Sequence, residues 1–458
     1  MKNGAERQRK MPYKQQGIRS SSRFNDPAMR GITRPHILQS ARRRVYYTAH
    51  SNQETLWQSF RRNITNIPKA LADETKSGLL LMACAVAALV VANSPARHLY
   101  ERISEYTFGP ESLHLHLPVS HWAADGLLTL FFFVVGLELK TEFVTGSLRD
   151  IREAALPMLA AVFGMIGPAL LYVIIQFGSE EPAFHGWAIP TATDIAFAVA
   201  LLGIFGRGFP PAARTFLLTL AVVDDLLAII VIAVFYTEHL NFVALLAALA
   251  AVAVFAFLVN KRITYWFLLI PLGVLAWGFM HASGIHSTIA GVLLGLVVPA
   301  TRRGREEQMT HRFVHKIQPW SAGVALPLFA FFSAGVNVID SKGLWDTLAD
   351  PVTVGIIIGM PIGKFVGIFG SVAFLTRMTR LHLGNGVSLR DIMPISILCG
   401  IGFTVALLVA GLAFPPGSEH VQHGKLAVLI GTLISAVLGS FLVQRRVRHH
   451  RHHSSRHH

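Results

Sequence analysis

Apolar residues in this chain come in long blocks rather than in the alternating or helically striped patterns of a soluble protein. Runs of about 20 mostly apolar residues carry an α-helix across a hydrocarbon core. Twelve are found, at 78–95, 121–140, 154–176, 188–205, 212–236, 240–260, 263–280, 284–299, 321–336, 352–376, 393–413 and 424–443. No long polar stretch separates them, so one all-α polytopic membrane domain is expected over residues 63–444. Two runs carry a break. The fourth has Pro190, Thr191 and Thr193 ahead of Asp194, and the eleventh has CGIGFT, with Gly400, Gly402 and Thr404. Proline removes a backbone donor, and threonine hydroxyls can satisfy freed backbone groups or ligate a cation. Discontinuous helices in corresponding places of two halves mark transporter sites, usually within inverted repeats. Spans three to five and ten to twelve would be those repeats. Gly and Pro are also common in membrane helices generally, so either break alone carries little weight.

Composition agrees with the block pattern. Of 458 residues, 52% are hydrophobic and 15% charged, against roughly 25% charged in soluble proteins. One large soluble enzyme is excluded. A net charge of +15 suggests nucleic acid until it is mapped. Residues 1–62 hold fourteen Lys/Arg and three acids, and residues 445–458 hold five Arg and no acid. The body keeps twenty-two basic and twenty-three acidic side chains, so no nucleic-acid partner is expected. The 1–62 segment reads as a disordered basic cytoplasmic extension. Alternatively it binds anionic lipid, at about 1 kcal/mol per basic residue. Residues 445–458 read as an Arg/His-rich cytoplasmic tail whose histidines could bind metal. The first apolar run starts near Gly78, so no secretory signal is expected. Cys84 and Cys399 lie inside apolar runs, which excludes a disulfide framework or a cysteine zinc site.

Loops after the even-numbered spans hold fifteen Lys/Arg, and those on the other side hold four, Arg97, Arg102, Lys342 and Lys425. The positive-inside rule then places both termini in the cytoplasm.

Ionisable groups at mid-membrane depth are costly and mark ion or proton pathways. Asp224 and Asp225 lie in LTLAVVDDLLAIIVIAVF, about twelve residues or 18 Å into the fifth span. Asp194 lies in the fourth span and Lys364 in the middle of the tenth. Adjacent aspartates on a helix point about 100° apart, so one can face a wet cavity while its neighbour faces a packed partner. Burial disfavours a carboxylate's charged form and a nearby ammonium favours it. A carboxylate so balanced holds either a proton or a hard cation, for which oxygen ligands are suited. A purely structural Asp–Lys pair would account for one aspartate and leave two unexplained.

At these residues the chain resembles the NhaA family of bacterial sodium/proton antiporters, a family that is itself a known example of the inverted-repeat frame. The matching stretches are DGLLTLFFFVVGLELK (125–140), GWAIPTATDIAFA (186–198), AVVDDLLAII (221–230), SGIHSTIAGVLLG (283–295), LPLFAFFSAGV (326–336), IGKFVGI (362–368) and CGIGFTVALLVAGLAF (399–414). The resemblance implies an electrogenic, pH-regulated exchanger of the inner membrane that expels Na+ or Li+ and admits protons in excess. It also implies a homodimer and no cofactor. By position, Asp225 matches the cation ligand and proton carrier, and Asp224 the neighbour paired with the lysine that Lys364 matches. Asp194 and Thr193 match the unwound fourth helix, where Asp194 would offset helix-end dipoles. Asp125 matches a further intramembrane carboxylate. Glu138, Lys140 and Glu142 match part of a pH-responsive cluster, and His286 a histidine tied to pH response. Thr141 stands where arginine is usual, and Val314 and Gln318 replace an acid and a histidine. A shifted or blunter pH profile is therefore expected. Glu138 and Glu142 could otherwise be a solvated helix end paired with Lys140.

Two other functions fit part of the pattern. A sodium-coupled symporter of an organic solute would share the fold but needs a roomier cavity, and no mid-depth arginine is present to meet an organic anion. An intramembrane aspartyl protease needs two aspartates sharing a proton. Asp194 and Asp225 meet that requirement only crudely, since Lys364 would hold both ionised and the GxGD pattern is missing.

Overall fold

The computed structural model describes residues 74–109, 116–237, 239–302, 307–337, 344–384 and 386–454. The basic extension at 1–62 and the last four tail residues lie outside the described residues. Six helices there are long and apolar enough to cross a membrane. They are Ile151–Gln176, Phe184–Phe205, Pro211–Phe235, Phe242–Asn260, Pro351–Met378 and Glu419–His449. Lys76–Ala92 and Arg97–Ser104, bent by 116° at a short break, make a seventh if taken together. Trp266–Ala282 is apolar but shorter.

The other predicted spans are assembled from pieces. Val119–His121 is α-helical, Trp122–Leu127 is π-helical, and α-helix resumes over Leu128–Val144. Met309–Trp320, the π-helical Ser321–Ala325 and Leu326–Ser333 follow the same order. Thr288–Leu296 is only nine residues long. Hydropathy reports only the solvent a run prefers, so a change from α to π hydrogen bonding leaves no trace in it. The all-α expectation also meets one small exception, the antiparallel ribbon Thr107–Phe108 with Leu117–Pro118. It is held against Trp122 by stacking of Phe108, with ring centroids 5.4 Å apart.

Outward faces of the long helices are apolar. Leu170, Ile174, Val234, Val243, Phe257, Phe267 and Leu433 are each more than half exposed. Such a surface would aggregate in water and is stable against lipid. This is a membrane protein. Inside, one cluster gathers Phe132, Tyr172, Phe329, Met360 and Phe403, and a second gathers Phe197, Leu217, Ile368, Ile395 and Val443.

Lipid gives apolar side chains no reason to prefer each other, so close helix contacts rely on small residues that let backbones approach. Two glycine seams do this here. Gly136 on Leu128–Val144 meets the backbone of Val292 and Gly295, while Gly291 and Gly295 on Thr288–Leu296 meet the carbonyls of Thr129 and Phe133. Gly363 and Gly367 press on Pro168 and Phe163 of Ile151–Gln176. This second seam flanks Lys364. The final helix continues past the predicted span to Ser454. Arg446 Nε donates to Asp391 Oδ1 at 2.6 Å and its Nη2 to Ser388 Oγ at 2.7 Å. The start of the basic tail is thus tied to the capping box of Leu389–Leu398.

A side chain at Gly367 would strike the Phe163 carbonyl, whereas one at Gly203 would meet nothing within 4 Å. Gly367→Val is expected to lower stability by about 1–3 kcal/mol or more through overpacking. Gly203→Ala should leave it unchanged or raise it by about 0.5–1 kcal/mol. Thermal melts of the purified variants in detergent check the contrast; equal melting temperatures would contradict it.

Candidate functional site

Pro211–Phe235 is a continuous helix with Asp224 and Asp225 well inside it, and the two carboxylates have different surroundings. Lys364 Nζ donates to Asp224 Oδ2 at 2.8 Å, and both side chains are buried, at 0% and 1% exposure. Lys364 lies between two π-helical stretches, Gly359–Gly363 and Phe365–Phe369. The widened turns and the glycine seam flank this lysine where it meets the helix Pro211–Phe235. Asp225 has no such partner. Among the described residues it makes no hydrogen bond or ion pair, and it lines a cavity of ≈ 80 Å³ with Glu138, Thr193, Asp194, Thr404 and Gln318.

The two breaks meet at this cavity. Helical turns end at Thr191 and resume at Ile195, while Leu389–Leu398 and Thr404–Leu412 flank residues 399–403. Asp194 serves both resuming helices. Its Oδ1 accepts from Phe197 N at 3.1 Å, as a helix N-cap does. Its Oδ2 accepts from Thr404 N at 3.2 Å and Thr404 Oγ1 at 3.0 Å. One carboxylate therefore faces the positive ends of two helices, where a negative charge is stabilised. Asp194 N donates to the Ile401 carbonyl at 2.6 Å, and Thr193 Oγ1 to the Cys399 carbonyl at 2.8 Å. These bonds satisfy backbone groups that lipid could not. Gly402 lets its irregular segment pass the Ala192 carbonyl, and Gly400 lets it pass Met360 and Ser435. Pro190 ends up packed on Gly359, beside the lysine-bearing stretch.

Asp125 lies elsewhere, on the π-helical Trp122–Leu127. His286 Nε2 is 3.1 Å from its Oδ1, and His286 Nδ1 is 2.7 Å from Thr288 Oγ1. Gly284, at φ +83°, makes the turn before His286 and packs on the His239 backbone. The pair lines a separate cavity of ≈ 540 Å³ with His121, His239, His281 and Lys425.

A family described as "Na+/H+ antiporter 1" matches residues 68–443. The chain belongs to this family. It is 53% identical over 397 residues to "Na(+)/H(+) antiporter NhaA 1" of Clavibacter michiganensis subsp. michiganensis, covering 84% of this chain and 92% of that protein. Identity to "Na(+)/H(+) antiporter NhaA 2" of Kineococcus radiotolerans is 51% over 399 residues, with 85% and 86% covered. Identity to "Na(+)/H(+) antiporter NhaA" of Frankia casuarinae is 48% over 401 residues, with 86% and 89% covered. Among solved structures, the sodium proton antiporter MjNhaP1 of Methanocaldococcus jannaschii aligns with a TM-score of 0.50 at 11% identity. That alignment covers 85% of this chain and 98% of the other, a likeness of fold.

The residues expected from the sequence to take part in pH response, Glu138, Lys140, Glu142 and His286, do not form one cluster here. Glu138 lines the Asp225 cavity. Glu142 Oε2 instead accepts from Ser147 N at 2.8 Å and Ser147 Oγ at 2.9 Å, closing the turn after Leu128–Val144. Lys140 is half-buried and pairs with neither. His286 is with Asp125. Thr141, where arginine is usual, has its hydroxyl 3.0 Å from that of Thr310, and Gln318 lines the central cavity. Sequence reading missed Ser77, which also lines that cavity, and the carbonyls of Cys399 and Ile401. A serine at the start of an apolar run was the only available signal for the first, and carbonyls carry no residue signature.

Removing one partner of a buried ion pair strands the other, at a cost of about 3–5 kcal/mol. Lys364→Met is expected to destabilise by that order, and Asp224→Leu combined with Lys364→Met to regain most of it. A double-mutant cycle on melting temperatures measures this; additive losses would show that the two side chains act independently.

Proposed function

We propose that this chain is a secondary transporter, not an enzyme, that exchanges cytoplasmic Na+ or Li+ for external protons. The observation that carries the reading is the unequal treatment of two neighbouring aspartates. Asp224 has its charge met by Lys364, while Asp225 faces a small cavity in which Glu138, Asp194, Thr193 and Thr404 stand among apolar side chains and no lysine, arginine or histidine takes part. A sodium ion or a proton can occupy that carboxylate, and each excludes the other. Family membership and the relatives' names support the same exchange.

With Lys364 and Asp224 neutralising each other, Asp194, Asp225 and Glu138 remain as the carboxylates of the cavity. An excess of protons per cation, and hence net charge movement, is proposed on family likeness. The cavity of ≈ 80 Å³ compares with about 300–1,000 Å³ for small-molecule pockets. This supports an ion rather than an organic solute and weighs against the symporter reading. Asp194 has both oxygens engaged with helix N-termini, which weighs against its sharing a proton with Asp225 as a protease would require.

The proposed architecture is twelve spans in the inner membrane with both termini cytoplasmic, supported by the Lys/Arg asymmetry of the loops. Spans four and eleven are its discontinuous members, within inverted repeats of spans three to five and ten to twelve. The crossed bonds of Asp194 and Thr193 to residues 399–404 support this. A homodimer in membrane lipid is proposed on family likeness. Regulation by pH is proposed to involve Glu138 directly at the cavity and the Asp125–His286 pair, with Lys140 and Glu142 acting through the Glu142-capped turn.

Asp225→Asn keeps the shape of the side chain and removes its charge. It should abolish sodium-driven proton release from everted vesicles while leaving expression and melting temperature near wild type. Exchange at the wild-type rate in that variant would overturn the assignment.

A further inference from the structure

Far from the cavity of Asp225, Asp350, His420 and His423 offer one donor atom each, all within 4.8 Å of one another. Asp350 precedes Pro351–Ile358, the first turns of the helix that carries Lys364. His420 and His423 share a face of the first turn of the final helix, by their spacing of three. His423 Nδ1 lies 2.9 Å from Asp350 Oδ2. His420 Nδ1 is buried and has no hydrogen-bond partner, an unsatisfied state that a buried ring nitrogen rarely keeps. The ring is fixed by Phe414, 5.4 Å away between centroids, and lies 6.3 Å from the ring of His423.

We propose that these three side chains form a binding site for a divalent transition-metal ion of the zinc class. Two imidazoles and one carboxylate are a donor set that prefers such ions to sodium or calcium. Donors around tetrahedral zinc stand roughly 3.3 Å apart for bonds near 2.0–2.1 Å. The three groups therefore close by small side-chain rotations from their 4.8 Å spread. On binding, the metal displaces any proton held between His423 and Asp350. Water reaches the fourth position through a cavity of ≈ 660 Å³ that Asp350 and His423 line with Glu101, Asp346 and Glu419, whose carboxylates attract a cation. The ion ties the start of the Lys364 helix to the final helix. This site is independent of the exchange reading, since none of its residues touches the central cavity.

The C-terminal histidines offer imidazoles that would compete in a titration, so the test uses the full chain with His449, His450, His452, His453, His457 and His458 changed to Asn. Cobalt(II) titration should give the visible absorption of a tetrahedral site at one ion per chain, and zinc should displace it and raise the melting temperature. In His420→Gln and His423→Gln the affinity should fall by roughly tenfold or more, and the zinc shift, read against the same variant without metal, should vanish. Asp350→Asn, which loses no helix-capping bond, gives a third and milder variant with weakened affinity. Zinc or cobalt bound equally well by the His420→Gln/His423→Gln double variant would overturn the proposal, as would absence of the tetrahedral band in the parent.

Discussion

A lysine ammonium buried without water needs a counter-charge within hydrogen-bonding reach, and the site is organised by that need. Lys364 meets it with Asp224, at 2.8 Å. Because consecutive residues on a helix diverge by about 100°, committing Asp224 to the lysine turns Asp225 toward the cavity. The difference between the two aspartates is thus enforced by helix geometry together with a single ion pair. The glycine seam on Ile151–Gln176 and the π-helical turns around Lys364 hold the lysine at the right depth. Wide turns of this kind recur at functional positions because they set a side chain outside the regular ladder.

The breaks in the fourth and eleventh runs are joined by the same principle of satisfaction. Two helix N-termini pointed into a low-dielectric interior need an acceptor, and Asp194 supplies one to each. Thr193 and the Asp194 amide then bond carbonyls of residues 399 and 401. Each of these bonds closes a donor or acceptor that interrupted helices leave open.

How much of this could be read from residues alone depended on range. Asp194, Asp224, Asp225 and Lys364 announce themselves because charge inside an apolar run is rare, and the breaks because Pro190, Gly400 and Gly402 are visible in the runs. Pairings were less legible. That Lys364 takes Asp224 was expected only through family likeness, whereas the turn of Glu142 to Ser147 and away from Lys140 depends on a tight loop that residue type does not reveal. The spans at 121–140 and 321–336 read as single apolar blocks although their hydrogen bonding changes register midway. Asp350 and the histidines 70 and 73 positions further on carry no common motif, so only folding brings them together.

The seam of Gly136, Gly291 and Gly295 has a mechanical corollary. Backbones that touch carbonyl to α-carbon have no flexible side chains between them to absorb sliding, so Leu128–Val144 and Thr288–Leu296 pack as one plank. Asp125 and His286 sit at one end of that plank and Glu138 further along it. A tilt of it would move all three together relative to the crossed breaks, linking the two cavities without a chain of intervening bonds.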